Sequence, residues 1–257
     1  MPTYARPRLI SSDDKRYRAY VEQFLIARRN QRAIRPPRQR DLFGGQAEAA
    51  LRGWLAQQFT LSERRILEYE ERRGNRGTMK YRELDGLVLE DRAAWAIEIK
   101  ASRTASSLRR AVGQLNETKA ILKLLYPLVR VTVLLVDTGI PADAEAVATL
   151  MASERPPSRP PELLADVLAA LPDLRLIEAL DQRSRDGSTI DLLRFGLADI
   201  IALAGAENLA LDWEADDAIE EPAAPPSDEP LYSTSDAADQ GDDDNLLAAA
   251  FKKAGLK

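Results

Sequence analysis

Neither cysteine nor histidine occurs among the 257 residues of the sequence. Without cysteine the protein has no disulfide bonds and no thiol chemistry. The two absences together exclude Cys/His zinc sites, histidine general bases, and Ser-His-Asp or Cys-His catalytic triads. An enzyme of this composition must therefore use Asp, Glu, Lys, Tyr or water for acid–base and metal chemistry.

Long hydrophobic runs are also missing. The strongest apolar run, residues 131–136, is far too short to span a bilayer. The first residues lack the apolar core of a signal peptide. With 45% hydrophobic and 30% charged residues the chain can bury a core. We therefore expect a soluble, cytoplasmic protein with no membrane partner.

The net charge of −5 is distributed unevenly along the chain. Residues 1–50 hold 11 basic and 5 acidic side chains, whereas residues 212–257 hold 3 and 13. Six of the thirteen residues in 28–40 are arginine, and a basic extended segment of this kind can contact phosphates. A solvated linker is the alternative interpretation. The asymmetry favours a nucleic-acid contact near the N-terminus and an acidic tail.

Two apolar runs, 84–89 and 93–99, flank a short polar segment, which is typical of an antiparallel hairpin. If the loop is centred between Asp91 and Arg92, Asp85 lies opposite Glu98, with Cβ atoms roughly 5 Å apart. Side chains alternate along a strand, so Lys100 shares the face of Glu98. The opposite face then carries Trp95, Ile97 and Ile99.

Like charges directly opposite each other destabilise a sheet. A pair such as Asp85 and Glu98 therefore favours a cation, and carboxylate oxygens suit hard ions such as Mg²⁺ or Mn²⁺. The alternative is an exposed hairpin face on which Lys100 neutralises Glu98. These three residues alone leave both interpretations open.

Another carboxylate borders the apolar stripe of an amphipathic helix predicted over residues 46–59. Glu48 lies three positions before Leu51 and seven before Leu55, where an acidic side chain is unusual unless it has a partner. The alternative is a half-exposed glutamate near a helix start, stabilised by the helix dipole.

The predicted element order over residues 44–137 is helix, three strands, helix, strand. With Leu84-Asp85 on the second strand and Glu98-Ile99-Lys100 on the third, this region resembles the PD-(D/E)xK nuclease superfamily, although Leu84 replaces the usual proline. The resemblance implies an α/β fold with a restriction-endonuclease-like αβββαβ core. It also implies metal ligands at Asp85, Glu98, Glu48 and the Ile99 carbonyl, with Lys100 as a catalytic residue.

A glutamine on the helix after Glu-x-Lys is similar to the pattern of resolvase-like and RecB-like members. Gln114 matches that glutamine and is a candidate catalytic residue. Thr118 stands where these members often carry a tyrosine, so the motif is half present. A solvent-facing helix glutamine is the alternative.

We divide the chain into an N-terminal helix and basic arm (1–43), the nuclease core (44–137), additional α/β elements packed on that core (138–211), and an acidic disordered tail with a short terminal helix (212–257). A first helix is predicted over 13–29. A hairpin around Asp186-Gly187 is predicted to join strands at 174–180 and 189–195. Ser102, Thr104 or Ser106 is expected to cap the helix that follows Lys100.

The sequence thus predicts a metal-dependent nuclease that acts on DNA within a defence, restriction or repair complex. A catalytically silent nucleic-acid-binding or scaffold subunit is the alternative. No Walker A motif is present, so an energy-driven step would require an ATPase or helicase partner. Such a partner is expected to dock on the C-terminal tail, and a homo-oligomer is compatible with the sequence.

Overall fold

The computed structural model describes residues 3–26, 39–74, 76–153 and 156–212. Two predicted features, the arginine-rich stretch 28–38 and the tail 213–257, lie outside the described residues. Within the described ranges the chain forms a mixed α/β fold with two sheets. No helix in those ranges is both long enough and apolar enough to cross a bilayer.

The smaller sheet is antiparallel, with strand order β1-β2-β3. Its strands are β1 (Thr3–Ile10), β2 (Ile66–Arg73) and β3 (Arg76–Glu83). Strand β1 was not predicted from the sequence. A proline and two arginines hide its alternation, and the strand is defined by its long-range pairing with β2.

The larger sheet has the order β4-β5-β6-β8-β7. Only the β4–β5 pair is antiparallel, and the other neighbours run parallel. The strands are β4 (Gly86–Glu90), β5 (Ala93–Ser102), β6 (Leu128–Asp137), β7 (Leu174–Ile177) and β8 (Ile190–Gly196). Leu84 and Asp85 link β3 to β4, so the chain passes from one sheet to the other at the predicted motif.

The helices are α1 (Lys15–Tyr20), followed by one turn of π-helix (Val21–Ile26), α2 (Gln39–Gln58), α3 (Ser106–Leu122), α4 (Ala144–Met151), α5 (Leu164–Ala169) and α6 (Leu197–Ala204). Short 3₁₀ turns occur at Leu180–Gln182 and Ala206–Asn208. Between α2 and α3 the chain forms four strands in two sheets, so the predicted series of three strands is wrong: the turn predicted at 72–77 leads into the additional strand β3. The helix before these strands and the helix and strand after them are as predicted.

Two apolar layers sandwich the larger sheet. One face packs with α3 through residues such as Leu87, Ala96 and Val133. The other face packs with α2 and α6 through Trp95, Ile97 and Ile99. The predicted orientation of these last three side chains is therefore confirmed.

Several local predictions were wrong. The strands near 174–180 and 189–195 run parallel, so the segment 178–189 is a crossover containing a 3₁₀ turn and not a hairpin loop. Helix α2 begins at Gln39 and continues through Gly44-Gly45, because Phe43 is 2% exposed and anchors its first turns. Ala105 occupies the N-cap of α3 and makes no side-chain cap.

Candidate active site

The predicted pairing register is confirmed in the β4–β5 ladder. Gly86 pairs with Ile97 and Glu90 with Ala93, so Asp85 stands one position beyond the last pair, level with Glu98. The Oδ2 atom of Asp85 accepts a hydrogen bond of 2.7 Å from the Ile99 backbone N–H. This bond joins the point where the chain leaves β3 to the end of β5 and fixes the Asp85 carboxylate there.

Glu98 and Lys100 form an ion pair at the same end of β5. Glu98 is 5% exposed, and its Oε1 lies 2.7 Å from the Lys100 Nζ atom. The two atoms are within ion-pair distance, but Oε1 is buried and has no hydrogen-bond partner of acceptable geometry. A buried carboxylate oxygen of this kind keeps the capacity to bind a further cationic or donor group.

Burial raises the pKa of the Asp85 carboxyl well above its usual range, and repulsion from Glu98 and Glu48 raises it further. The hydrogen bond from Ile99 and the charge of Lys100 oppose this effect without cancelling it. Glu48 on α2 behaves similarly, since burial raises its pKa despite the nearby arginines Arg52 and Arg65. The structure therefore brings three acidic groups from separate elements into one electrostatic cluster.

Arg65, just before β2, holds the chain at the link that carries Asp85. Its Nη1 atom donates a 2.9 Å hydrogen bond to the Leu84 carbonyl, and its guanidinium pairs with Glu83. Arg65 therefore fixes the residues on both sides of Leu84. Sequence reasoning missed Arg65, because it lies outside any periodic pattern.

A second arginine, Arg82 on β3, ties the smaller sheet to α3. Its Nη1 atom donates hydrogen bonds to the Gln114 carbonyl at 2.8 Å and to the Thr118 hydroxyl at 3.0 Å. Its Nη2 atom pairs with Glu117 at 2.5 Å. Arg82 lies two positions before the core residue Leu84, so both side chains lie on the same side of an extended chain. This spacing could have identified Arg82 as a buried arginine that needs hydrogen-bond acceptors.

Gln114 is thus joined to the site region through its backbone. It is partly buried on α3, and its carbonyl oxygen is the Arg82 acceptor. Thr118, which stands in the place of the expected tyrosine, is 2% exposed and shares the same arginine. The half-matched motif therefore corresponds to a contact between α3 and β3.

Among the described residues, Glu98 Oε1, Arg82 Nε and Arg52 Nε are buried side-chain atoms without a hydrogen-bond partner. Across the described ranges, however, no three acidic side chains are arranged to hold a metal ion together. The oxygen donors fit a hard cation in chemical type. Metal binding there would have to use fewer than three direct carboxylate ligands, completed by a backbone carbonyl or water.

Comparison with models of protein families found no matching family, and no curated protein matches the sequence. The interpretation of the site therefore depends on its own residues and geometry.

Proposed function

We propose that the protein is a metal-dependent nuclease with a restriction-endonuclease-like core. The observation that carries the proposal is the convergence of Asp85, Glu98 and Lys100 where β4 and β5 meet, with Glu48 approaching from α2. Glu98 and Lys100 lie on the strand that the resemblance assigns to them, whereas Asp85 lies on the link just before β4. The order β4, β5, α3, β6 supports the same interpretation.

In this proposal, Asp85, Glu98 and the Ile99 carbonyl would hold Mg²⁺ or Mn²⁺, and Glu48 would contribute through a water molecule. This arrangement agrees with the lack of a three-carboxylate cage among the described residues. It would also give the buried Glu98 Oε1 a partner. A metal ion bound there would supply Lewis-acid chemistry, polarising a scissile phosphate and lowering the pKa of an attacking water.

The role of Lys100 follows from its position beside Glu98. Its side chain is 15% exposed and its charge is held at the end of β5. An ammonium at this position can donate a hydrogen bond to a phosphate oxygen or to the attacking water. It stabilises the negative charge that develops as the water oxygen bonds to phosphorus and the bond to the leaving oxygen breaks.

DNA is the proposed substrate, and the arginine-rich segment 28–40 is the proposed backbone contact. We extend the proposal to a role in a defence, restriction or repair complex with an ATPase or helicase subunit, because the sequence carries no ATP-binding loop of its own. Gln114 is assigned a supporting role on α3 beside Arg82.

A specific observation favours one alternative, a catalytically silent nucleic-acid-binding subunit. The Ile99 N–H holds the Asp85 carboxyl group in place without metal, and the raised pKa of Asp85 favours its neutral form. In a silent subunit, Asp85, Glu98, Lys100 and Glu48 would be retained for structure.

A cleavage assay distinguishes the metal-dependent nuclease from the catalytically silent subunit. The protein is incubated with supercoiled, linear and single-stranded DNA and with RNA, in Mg²⁺, Mn²⁺ or EDTA. A nuclease cuts only with metal, and Asp85→Asn, Glu98→Gln and Lys100→Ala each lose activity. Asp137→Asn is the matched control, since this carboxylate also ends a strand of the sheet but pairs with Arg194 at 2.7 Å. Cutting by Lys100→Ala at the wild-type rate would overturn the proposal, and metal-independent binding without cutting would favour the silent subunit.

A further inference from the structure

An open groove of about 790 Å³ lies on the α2–α6 side of the larger sheet, away from the candidate active site. Aromatic and aliphatic side chains make up much of its lining, including Trp54, Phe59, Phe195, Leu180 and Leu203. Trp54 meets the Phe195 ring edge-on at 5.3 Å, and Leu203 is 41% exposed. A groove lined in this way is suited to an apolar helix face.

The charges of the groove are uneven. Of its two arginines, Arg183 stacks over the Trp95 ring at 4.7 Å and Arg194 pairs with Asp137 at 2.7 Å. Three carboxylates also line it, those of Glu178, Asp181 and Asp199. None of the three forms an ion pair with another described residue, so the groove favours an occupant with basic residues beside its apolar ones.

The described chain ends on the same face of the larger sheet as this groove. Leu209 is 9% exposed, and Ala210 and Leu211 pack in the same apolar cluster as Trp54 and Phe195. The Ala210 N–H donates a 2.7 Å hydrogen bond to Gln46 Oε1 on α2, the helix that also supplies Trp54 and Phe59 to the groove. The 45 residues after position 212 therefore start on the face of the sheet that carries the groove.

The last thirteen residues, 245–257, have the chemistry that the groove favours. Their apolar residues are spaced so that one helix face would carry Leu246, Leu247, Ala250 and Phe251, and the segment holds three lysines and no acidic residue. Residues 213–244 would act as the tether. A flexible tether of this length has a root-mean-square span of roughly 30 Å, enough to reach any part of the groove.

We propose that residues 245–257 dock in this groove of their own chain, with Phe251 against the aromatic lining and the lysines against its carboxylates. Tethering gives the segment an effective concentration in the millimolar range, so a weak interaction suffices. The proposal does not depend on nuclease activity. It differs from capture of a separate subunit by the tail. In this proposal, residues 245–257 already occupy the groove of their own chain before any partner binds.

The absence of cysteine allows a direct test on the full-length protein. Leu203→Cys combined with Ala254→Cys, which keeps Phe251, should form an intramolecular disulfide under mild oxidation. The matched control combines Ala254→Cys with Leu124→Cys, which is 56% exposed and lies after α3 on the opposite face of the sheet. We expect at least a tenfold faster disulfide in the first variant, independent of protein concentration and slowed by high salt.

Mass spectrometry and non-reducing gels distinguish the outcomes. Equal rates for the two variants would overturn the proposal. Concentration-dependent dimers formed by Leu203→Cys/Ala254→Cys would also overturn it and assign the groove to a second copy of the chain. A second measurement uses Leu247→Ser/Phe251→Ser, which should increase hydrogen exchange at the groove, and unchanged exchange there would contradict docking.

Discussion

Replacing Asp85 with asparagine is expected to stabilise the metal-free protein at neutral and higher pH. The substitution removes a negative charge that faces Glu98 and Glu48, and asparagine can still accept the hydrogen bond from the Ile99 N–H. Two unit charges roughly 5 Å apart, the cross-strand spacing, repel by about 3 kcal/mol at an effective dielectric constant of 20. The Lys100 charge offsets part of this repulsion, so we expect a gain of about 1–3 kcal/mol.

The gain should depend on pH in a defined direction. Because burial raises the pKa of Asp85 in the folded protein above its value in the unfolded chain, the folded state is destabilised as pH rises through the interval between the two values. Below the unfolded pKa, near 4, wild type and Asp85→Asn should be equally stable. At pH 8 the variant should melt about 2–12 °C higher, since 1 kcal/mol corresponds to about 2–4 °C in a protein of this size.

Added Mg²⁺ should reverse the order, because a metal bound only to the folded wild type adds about 2.7 kcal/mol at a hundred times its dissociation constant. Thermal melts at pH 4 and 8, with EDTA or Mg²⁺, measure both effects. Asp137→Asn is the control and should lose stability without a change in metal response, since asparagine keeps the hydrogen bonds from Gly139 and Ile140 but loses the charge that pairs with Arg194. A lower melting temperature for Asp85→Asn at pH 8 in EDTA would refute the electrostatic argument.

Further substitutions test the surroundings. Arg82→Lys should lower the free energy of unfolding by about 2–3 kcal/mol, because a lysine ammonium cannot bind the carbonyl, hydroxyl and carboxylate groups of α3 at the same time. An unchanged midpoint of urea unfolding would contradict this role. Gly187→Ala should lower the free energy of unfolding by more than about 1 kcal/mol, since the φ of Gly187 is +66° and a Cβ would lie 2.2 Å from the Val129 carbonyl oxygen. Gly113→Ala is the contrasting change in α3 and should raise the free energy of unfolding by about 0.5–1 kcal/mol. Replacing Arg32, Arg35, Arg38 and Arg40 with alanine should flatten the log–log slope of duplex binding against salt by about 0.9 for each phosphate that these arginines neutralise, and an unchanged slope would reduce the segment to a linker.

The parts of the fold that could be predicted are those in which local pattern and tertiary pairing agree. Apolar runs on both sides of a short polar segment predicted the hairpin, and centring its loop between Asp91 and Arg92 gave the observed β4–β5 register. The Asp186-Gly187 turn signal is local, and it cannot specify whether the flanking strands pair antiparallel. In the segment that joins β7 to β8, the fully buried Asp191 accepts hydrogen bonds from the Arg175 guanidinium and the Ser184 N–H. These bonds stabilise the crossover between the two parallel strands.

The same division applies to the candidate site. Period-two alternation was enough to place Asp85, Glu98 and Lys100 together, since Glu98 and Lys100 lie on β5 and Asp85 directly precedes the adjacent strand β4. Arg65 and Arg82 could not be assigned in this way, because their acceptors are a carbonyl at the sheet junction and groups on α3. These two arginines lie near the acidic cluster of Asp85, Glu98 and Glu48, whose mutual repulsion disfavours the folded state. A cluster that the scaffold holds in place against its electrostatic cost is expected where function, and not stability, selects the residues.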